Sequence, residues 1–330
     1  MAQLSSLTVT SSFNLSATTE NTSSAGYLWF DNTEANFMIS RNKGVWSNGP
    51  NKINAIGAGG GLNGSGTQNA ALSFGGRINP SNQACTEEYN GSSWSAGGAL
   101  ITARNLLTGT GTQNAALAIG GQHLQFSPCT EEYNGSSWTA GGALINGRDN
   151  PASVGIQDSA IVWGGRNPSG GGLVMCCTEE YNGSSWSTGV AALGGLRYHG
   201  GTGTQNAVLS GGGDYAVDTT RQGICVGYTL LYDGTSWSRG NFQSNPRSKS
   251  QAMGGTQNQA VLAKGRCAGL LTEEYDGTTW SSQNNANCSS TESISSAGSP
   301  SATITYGDGT LNTELYTEQL AAKKINSSTP

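Results

Sequence analysis

Apolar residues in this chain come in short bursts, cut off by glycine and separated by small polar residues. Ala115 to Ile119 is one such run and ends on Gly120-Gly121. The runs before Gly75-Gly76, Gly164-Gly165 and Gly211-Gly212 end in the same way. Each is followed, after a stretch of variable length, by a segment with a fixed Tyr and a Trp five residues later. Runs this short, bounded by turn residues, read as strands rather than helices. In residues 95–138 the pattern predicts four strands, at roughly 104–110, 114–119, 129–133 and 136–141. Gly111 to Asn114 predicts the first hairpin turn. Asn134-Gly135, with its counterparts Asp233-Gly234 and Asp276-Gly277, predicts a tight two-residue type I′ hairpin. Glycine pairs at a strand end allow close approach of a neighbouring backbone or of a Tyr or Trp ring.

The Tyr and Trp belong to a repeat. Thr-Glu-Glu-Tyr-Asn-Gly-Ser-Ser-Trp occurs three times unchanged, ending at Trp94, Trp138 and Trp186; diverged copies end at Trp237 and Trp280, and Trp46 begins the series. The steps run from 43 to 51 residues, a period that fits a four-stranded propeller blade. Tyr89, Tyr133, Tyr181, Tyr232 and Tyr275 mark the outer strands with those Trp residues. A last partial unit, Ala302 to Tyr306 and then Thr313 to Tyr316, has the Tyr strand but no Trp strand, whereas Trp46 has no preceding Tyr unit. Joined, they make a sixth blade and remove the open sheet edges. The expected fold is therefore all-β: a six-bladed β-propeller over 46–317, four antiparallel strands per blade, the ring closed by an N-terminal strand. Around it lie an extended N-terminal docking arm (1–26), a short β-hairpin (27–45) and a polar C-terminal tail (318–330).

Composition narrows the function. Charged residues make up 11% and hydrophobic ones 35%, with 50 Gly, as in all-β proteins of short strands and many turns. A net charge of −5 with 16 Lys+Arg argues against a nucleic-acid backbone partner. The absence of a long apolar run and of a signal-like N-terminus predicts neither a membrane span nor secretion. Cys85, Cys129 and Cys177 each precede a repeat Tyr by four residues, where later copies have Tyr228 and Leu271; the position reads as buried and hydrophobic. Synthesis in a reducing cytoplasm fits seven cysteines in a chain this long.

An apolar strand ending in Gly-Gly, then Tyr, then Trp, with Arg104, Arg148, Arg197 and Arg247 ten or eleven residues after a repeat Trp, resembles the kelch repeat over residues 46–317. Galactose-oxidase-like enzymes share that propeller and bind copper through His and Tyr. Here His123 and His199 fall in different blades, so no metal or other cofactor is expected. Gly26 to Trp46 is similar to short β-segments of tail-fibre and virion proteins of tailed bacteriophages.

The Glu pairs at 87–88, 131–132, 179–180 and 273–274 look like catalytic carboxylates, but neighbours on a strand point to opposite faces and cannot converge. Asn90, Asn134 and Asn182 match a glycosylation pattern that the Asp-Gly copies lose, so the turn explains them better. The glycine run at 59–61 lacks a phosphate-loop continuation. What varies between blades is the loop after each Gly pair, at 77–84, 122–128, 166–176 and 214–227. These loops hold Arg77, Asn79, His123, Gln125, Phe126, Arg166, Asn167, Asp214, Tyr215 and Arg221, a mixture suited to glycan or protein. The resemblance implies a non-enzymatic, oligomeric structural protein of a tailed-phage virion, made in the host cytoplasm. Its arm would dock to other virion proteins and its loops would face a host-surface glycan or receptor. A carbohydrate-active propeller enzyme and a kelch-type adaptor for a protein partner remain the alternatives.

Overall fold

A computed structural model describes residues 28–31, 36–56, 63–78, 80–167, 174–215, 223–249, 253–287, 294–299, 301–307 and 310–324. The chain divides into two units, Trp46–Tyr316 and Met1–Val45 with Thr317–Pro330. The first is a six-bladed β-propeller of four-stranded antiparallel sheets. Blade two shows the plan: Thr108–Thr112, Ala115–Ile119, Thr130–Tyr133 and Trp138–Ala140 pair in chain order, from the axis outward. Innermost strands of successive blades touch all the way round. In the sixth blade the order is Asn36–Asn48, Thr313–Lys324, Ala302–Gly307, Ile294–Ser299, so an N-terminal strand closes the ring.

The Tyr and Trp of each blade stack on one another. Centroids lie 4.8–5.1 Å apart in the five complete repeats, and the joined pair Trp46–Tyr316 repeats the contact at 5.0 Å. The core lies between blades: Leu72 and Phe74 of blade one pack with Leu107, Ala116, Ala118 and Trp138 of blade two. Inner-strand glycines make room for this, since a Cβ on Gly109 would sit 2.2 Å from the Phe74 ring.

Four local expectations need correction. The first strand of blade two starts at Thr108 rather than 104, because Arg104 and Asn105 leave the sheet to bond elsewhere. The outer hairpin is not a two-residue type I′ turn. Tyr133 pairs with Trp138 across a four-residue loop in which Asn134 Oδ1 accepts from the backbone N–H of Ser136 and Ser137. Only Gly135 there has positive φ, at 87°; the side-chain bonds give Asn and Asp their place. Backbone does approach the Gly pairs closely, as expected: a Cβ on Gly120 (φ 65°) would lie 2.7 Å from the carbonyl oxygen of Arg148, and at Gly164 the His199 ring would come within 2.6 Å as well. In blade four the positive-φ pair is Gly212-Gly213, one residue later than expected. Finally, Cys85, Cys129 and Cys177 are half-buried rather than buried, because they stand at the rim where the third strand begins.

A disulfide, Cys225–Cys267, joins the loops of blades four and five across a sequence separation of 42. In the second unit, Leu28–Asp31 pairs antiparallel with Asn36–Ile39. A strand also continues to Lys324 through the segment expected as a polar tail. The arm at 1–26 lies outside the described residues.

Candidate functional site

Alternating strands place the Gly pairs and the variable loops at one end of the blades (the loop face). The Gly-x-Gln and Asn-Gly-Ser-Ser hairpins lie at the other (the turn face). The repeated residues between these faces are engaged in holding blade to blade. Trp Nε1 donates to the repeat Thr of the preceding blade at 2.8–3.1 Å for Trp46, Trp94, Trp138, Trp186 and Trp280. Gln68, Gln113, Gln157, Gln205 and Gln257 each donate to two carbonyls of the preceding blade. Sequence reasoning took Gly-Thr-Gln-Asn for a turn alone. Five glutamines in one register was the missed signal, since a turn has no need of glutamine.

The Glu pairs split as their strand requires. The second member accepts from the Tyr hydroxyl of the next blade: Tyr133 to Glu88 at 2.5 Å, Tyr181 to Glu132 at 2.5 Å, Tyr232 to Glu180 at 2.7 Å, and Tyr316 to Glu274. Burial first, and then these bonds, push the hydroxyls of Tyr133, Tyr181 and Tyr232 up to about 12. The first member turns inward to a buried cation. Arg104 pairs with Glu131 at 3.1 Å, and Arg148–Glu179, Arg247–Glu273 and Lys264–Glu314 repeat the arrangement. Glu131 and Glu179 also cap backbone N–H groups of the incoming linker.

Blade four breaks this scheme. Leu230 and Leu231 replace the Glu pair. Tyr275, deprived of its carboxylate, bonds to the carbonyl of Gly277. Arg197 is not the counterpart of Arg148, as its spacing suggested. The carbonyl of Leu196 receives the N–H of Gly165, just as that of Arg148 receives Gly121, so Leu196 holds the buried arginine position. Leu196 and Leu230 lie in one apolar cluster. Here a leucine pair replaces both charges, an exchange that costs little when both charges go together.

Arg197, one residue later, faces the loops. Its Nε donates to the buried Asp214 at 3.0 Å. In blade three Arg166 binds the buried Asp149 through Nε and Nη2, at 3.3 and 2.7 Å, and lies 5.1 Å over the Phe126 ring. In blade five Arg266 approaches Asp214 at 3.9 Å and donates to the carbonyl of Gly223. Tyr198 joins the three blades: the guanidinium of Arg197 and the ammonium of Lys249 lie 5.2 and 5.8 Å from its ring. Burial raises its pKa, with Asp149 and Asp214 raising it further and Arg197 and Arg166 opposing.

The remaining expected residues are scattered. Arg77 donates to the carbonyl of Pro80, Asn167 is half-buried, and His123 hydrogen-bonds the carbonyl of Ala103 at 2.8 Å. Gln125 and Tyr215 are exposed. Asn79 and Arg221 lie outside the described residues. The loops thus bring Phe126, Arg166 and Asp214 together, and the cluster adds Asp149, Arg197, Tyr198, Lys249 and Arg266, which sequence reasoning did not single out. Their signal was faint, because most sit next to repeat positions rather than in the variable loops. A separate arc of exposed aliphatics, Ile53, Ile101, Ile145 and Leu193, marks the linkers of blades one to four.

His199 does not approach His123. It is fully buried beside Trp163, at 5.6 Å. Burial holds its pKa down to about 3; the backbone of Trp163 and Arg197 offsets part of that shift without well-formed hydrogen bonds. The unfolded chain takes up this proton near pH 6.5 and the folded one does not. The contribution of neutral His199 is therefore complete above that pH and is lost as pH falls towards 3. Between pH 7 and pH 4.5 wild type should lose about 2–3 kcal/mol more stability than His199→Leu, as read by urea unfolding at the two pH values.

At the axis, inner-strand residues including Gly109, Thr110, Thr202 and Gly298 line a cavity of about 150 Å³. No group of three or more His, Cys, Asp or Glu among the described residues is placed to hold a metal ion. No protein-family model matches the chain, and comparison with curated proteins finds no match.

Proposed function

We propose that this chain is a non-catalytic structural protein of a tailed-phage particle, a kelch-like propeller that presents its loop face outward. What carries this reading is the employment of the repeat: its Tyr, Trp, Thr, Gln and Glu are used in joining blades, while sequence variation is concentrated in the loops of one face. Such a body is a rigid carrier for a contact surface. The glycine-rich, low-charge composition and the fibre-like segment before Trp46 support a particle component. The near-identical repeats fit an adaptor less well.

Quantitative mass spectrometry of purified particles tests the reading. The expected result is a fixed copy number, relative to the major capsid protein, that matches a symmetry axis of the particle. A lysate rich in this protein whose intact particles lack it would overturn the assignment.

A further inference from the structure

We propose that the cationic hub formed by Arg166, Arg197, Lys249 and Arg266 on the loop face is a receptor for an anionic sugar, gripping its carboxylate or phosphate group. The inference deepens the reading above, and it rests on the loop face being the contact surface.

Three observations carry it. The first is how the guanidinium groups are held. Asp149 and Asp214 are buried, and they fix Arg166 and Arg197 by one edge each. Nη1 of Arg166 and both terminal nitrogens of Arg197 make no hydrogen bond among the described residues, and these side chains are 29% and 13% exposed. Arg266, 27% exposed, is held by the carbonyl of Gly223 and by a backbone bridge to Ser248; the adjacent Cys225–Cys267 disulfide ties its segment to blade four. A guanidinium anchored on one side by a buried acid keeps a planar fork of donors for a second anion.

The second observation is charge placement. In Trp46–Tyr316 the arginines and lysines at the first Glu of each pair are buried. The described cations that reach solvent are Arg77, Arg166, Arg197, Arg239, Lys249 and Arg266, and four of these six converge on Tyr198 or its Asp neighbours. Among the described residues of that unit, the exposed acids Asp158, Asp233 and Asp276 all sit in turn-face hairpins. In a chain with net charge −5, the described charges of this unit therefore place positive potential on one face. A patch this local suits one or two anionic groups rather than a long polyanion.

The third is the company the cations keep. Tyr198 at the centre, Phe126 beside Arg166 and the exposed Tyr215 next to Asp214 supply ring faces close to the charged donors. Ring faces next to polar donors are what a sugar with one charged substituent requires.

The test is calorimetric titration of the full chain with three probes: a glucuronate-bearing oligosaccharide, its carboxyl-reduced neutral counterpart, and a glycerol-phosphate oligomer. Thermal melts of every variant confirm folding. Binding of either anionic probe but not the neutral one, weakening with salt, is expected. Arg266→Gln and Lys249→Gln should each weaken it about tenfold. Arg239→Gln, which removes the same charge from the outer strand of blade four, should leave it unchanged. Preference between the two anionic probes identifies a carboxylated or a phosphorylated source. Equal binding of the neutral probe, no binding of either anion, or an equal loss in Arg239→Gln would overturn the inference. A protein found in particles at fixed stoichiometry but showing one of those outcomes would leave the proposed function standing.

Discussion

Glu179→Ala should destabilise the propeller by about 3–5 kcal/mol, because it strands the fully buried Arg148 without a counter-charge. Arg148 would keep its bonds to the carbonyls of Gly164 and Cys177, and the linker N–H groups of Ile145 and Asn146 would lose their acceptor. The double change Arg148→Leu with Glu179→Leu should recover most of that loss. Blade four already demonstrates the substitution with Leu196 and Leu230. Guanidinium chloride unfolding of the two variants and the wild type decides the matter. A double variant as unstable as the single one would mean that the carbonyl bonds of Arg148, rather than its charge balance, hold the blade.

Trp46→Ala should be comparably severe, at about 3–5 kcal/mol. Trp46 is buried in the strand that completes blade six; it stacks on Tyr316, donates to Thr272, and packs with Val261 and Ala263 of blade five. Its loss leaves a cavity at the one joint where the ring is closed by chain ends distant in sequence. The corresponding cut at Trp138, inside a continuous blade, should lower stability without loosening the termini. Hydrogen exchange distinguishes them: protection should fall first in Thr313–Tyr316 for Trp46→Ala and around Thr86 for Trp138→Ala. Identical exchange patterns would refute a special role for the closing strand.

The architecture was legible because each blade repeats a strand pattern with a Tyr and a Trp in fixed register, and because Trp46 and Tyr316 are complementary halves of one unit. Local geometry was less so. Asn134-Gly135 suggested a type I′ turn, yet the Asn side chain organises a four-residue loop; dipeptide identity does not reveal loop length. Arg197 looked like a repeat arginine, but it stands eleven residues after its Trp where Arg104, Arg148 and Arg247 stand ten; Leu196 holds the tenth position and the interior, and Arg197 falls on the loop face. The candidate site was legible only in part, through Phe126, Arg166 and Asp214. Asp149, Tyr198, Lys249 and Arg266 come from three blades and meet only because the ring brings their loop ends together, a proximity that periodicity along the chain does not encode.

The repeat Trp, Tyr and Gln donors that join the blades reach back to the blade before, whereas Tyr306 of blade six reaches forward to the carbonyl of Leu72. A chain emerging from the ribosome therefore finds the acceptors for blades two to five already in place. Blade one is the exception: Trp94 needs Thr313, and Gln68 needs the carbonyls of Thr303 and Tyr316. The strand at Trp46 waits about 270 residues for its neighbour at Tyr316, roughly 15–50 s at ordinary rates of translation. Throughout that interval both ends of the growing array are open sheet edges on a polysome crowded with copies of the same repeat. Closure, rather than the folding of any blade, sets the moment at which a newly made chain is protected from pairing with its neighbours.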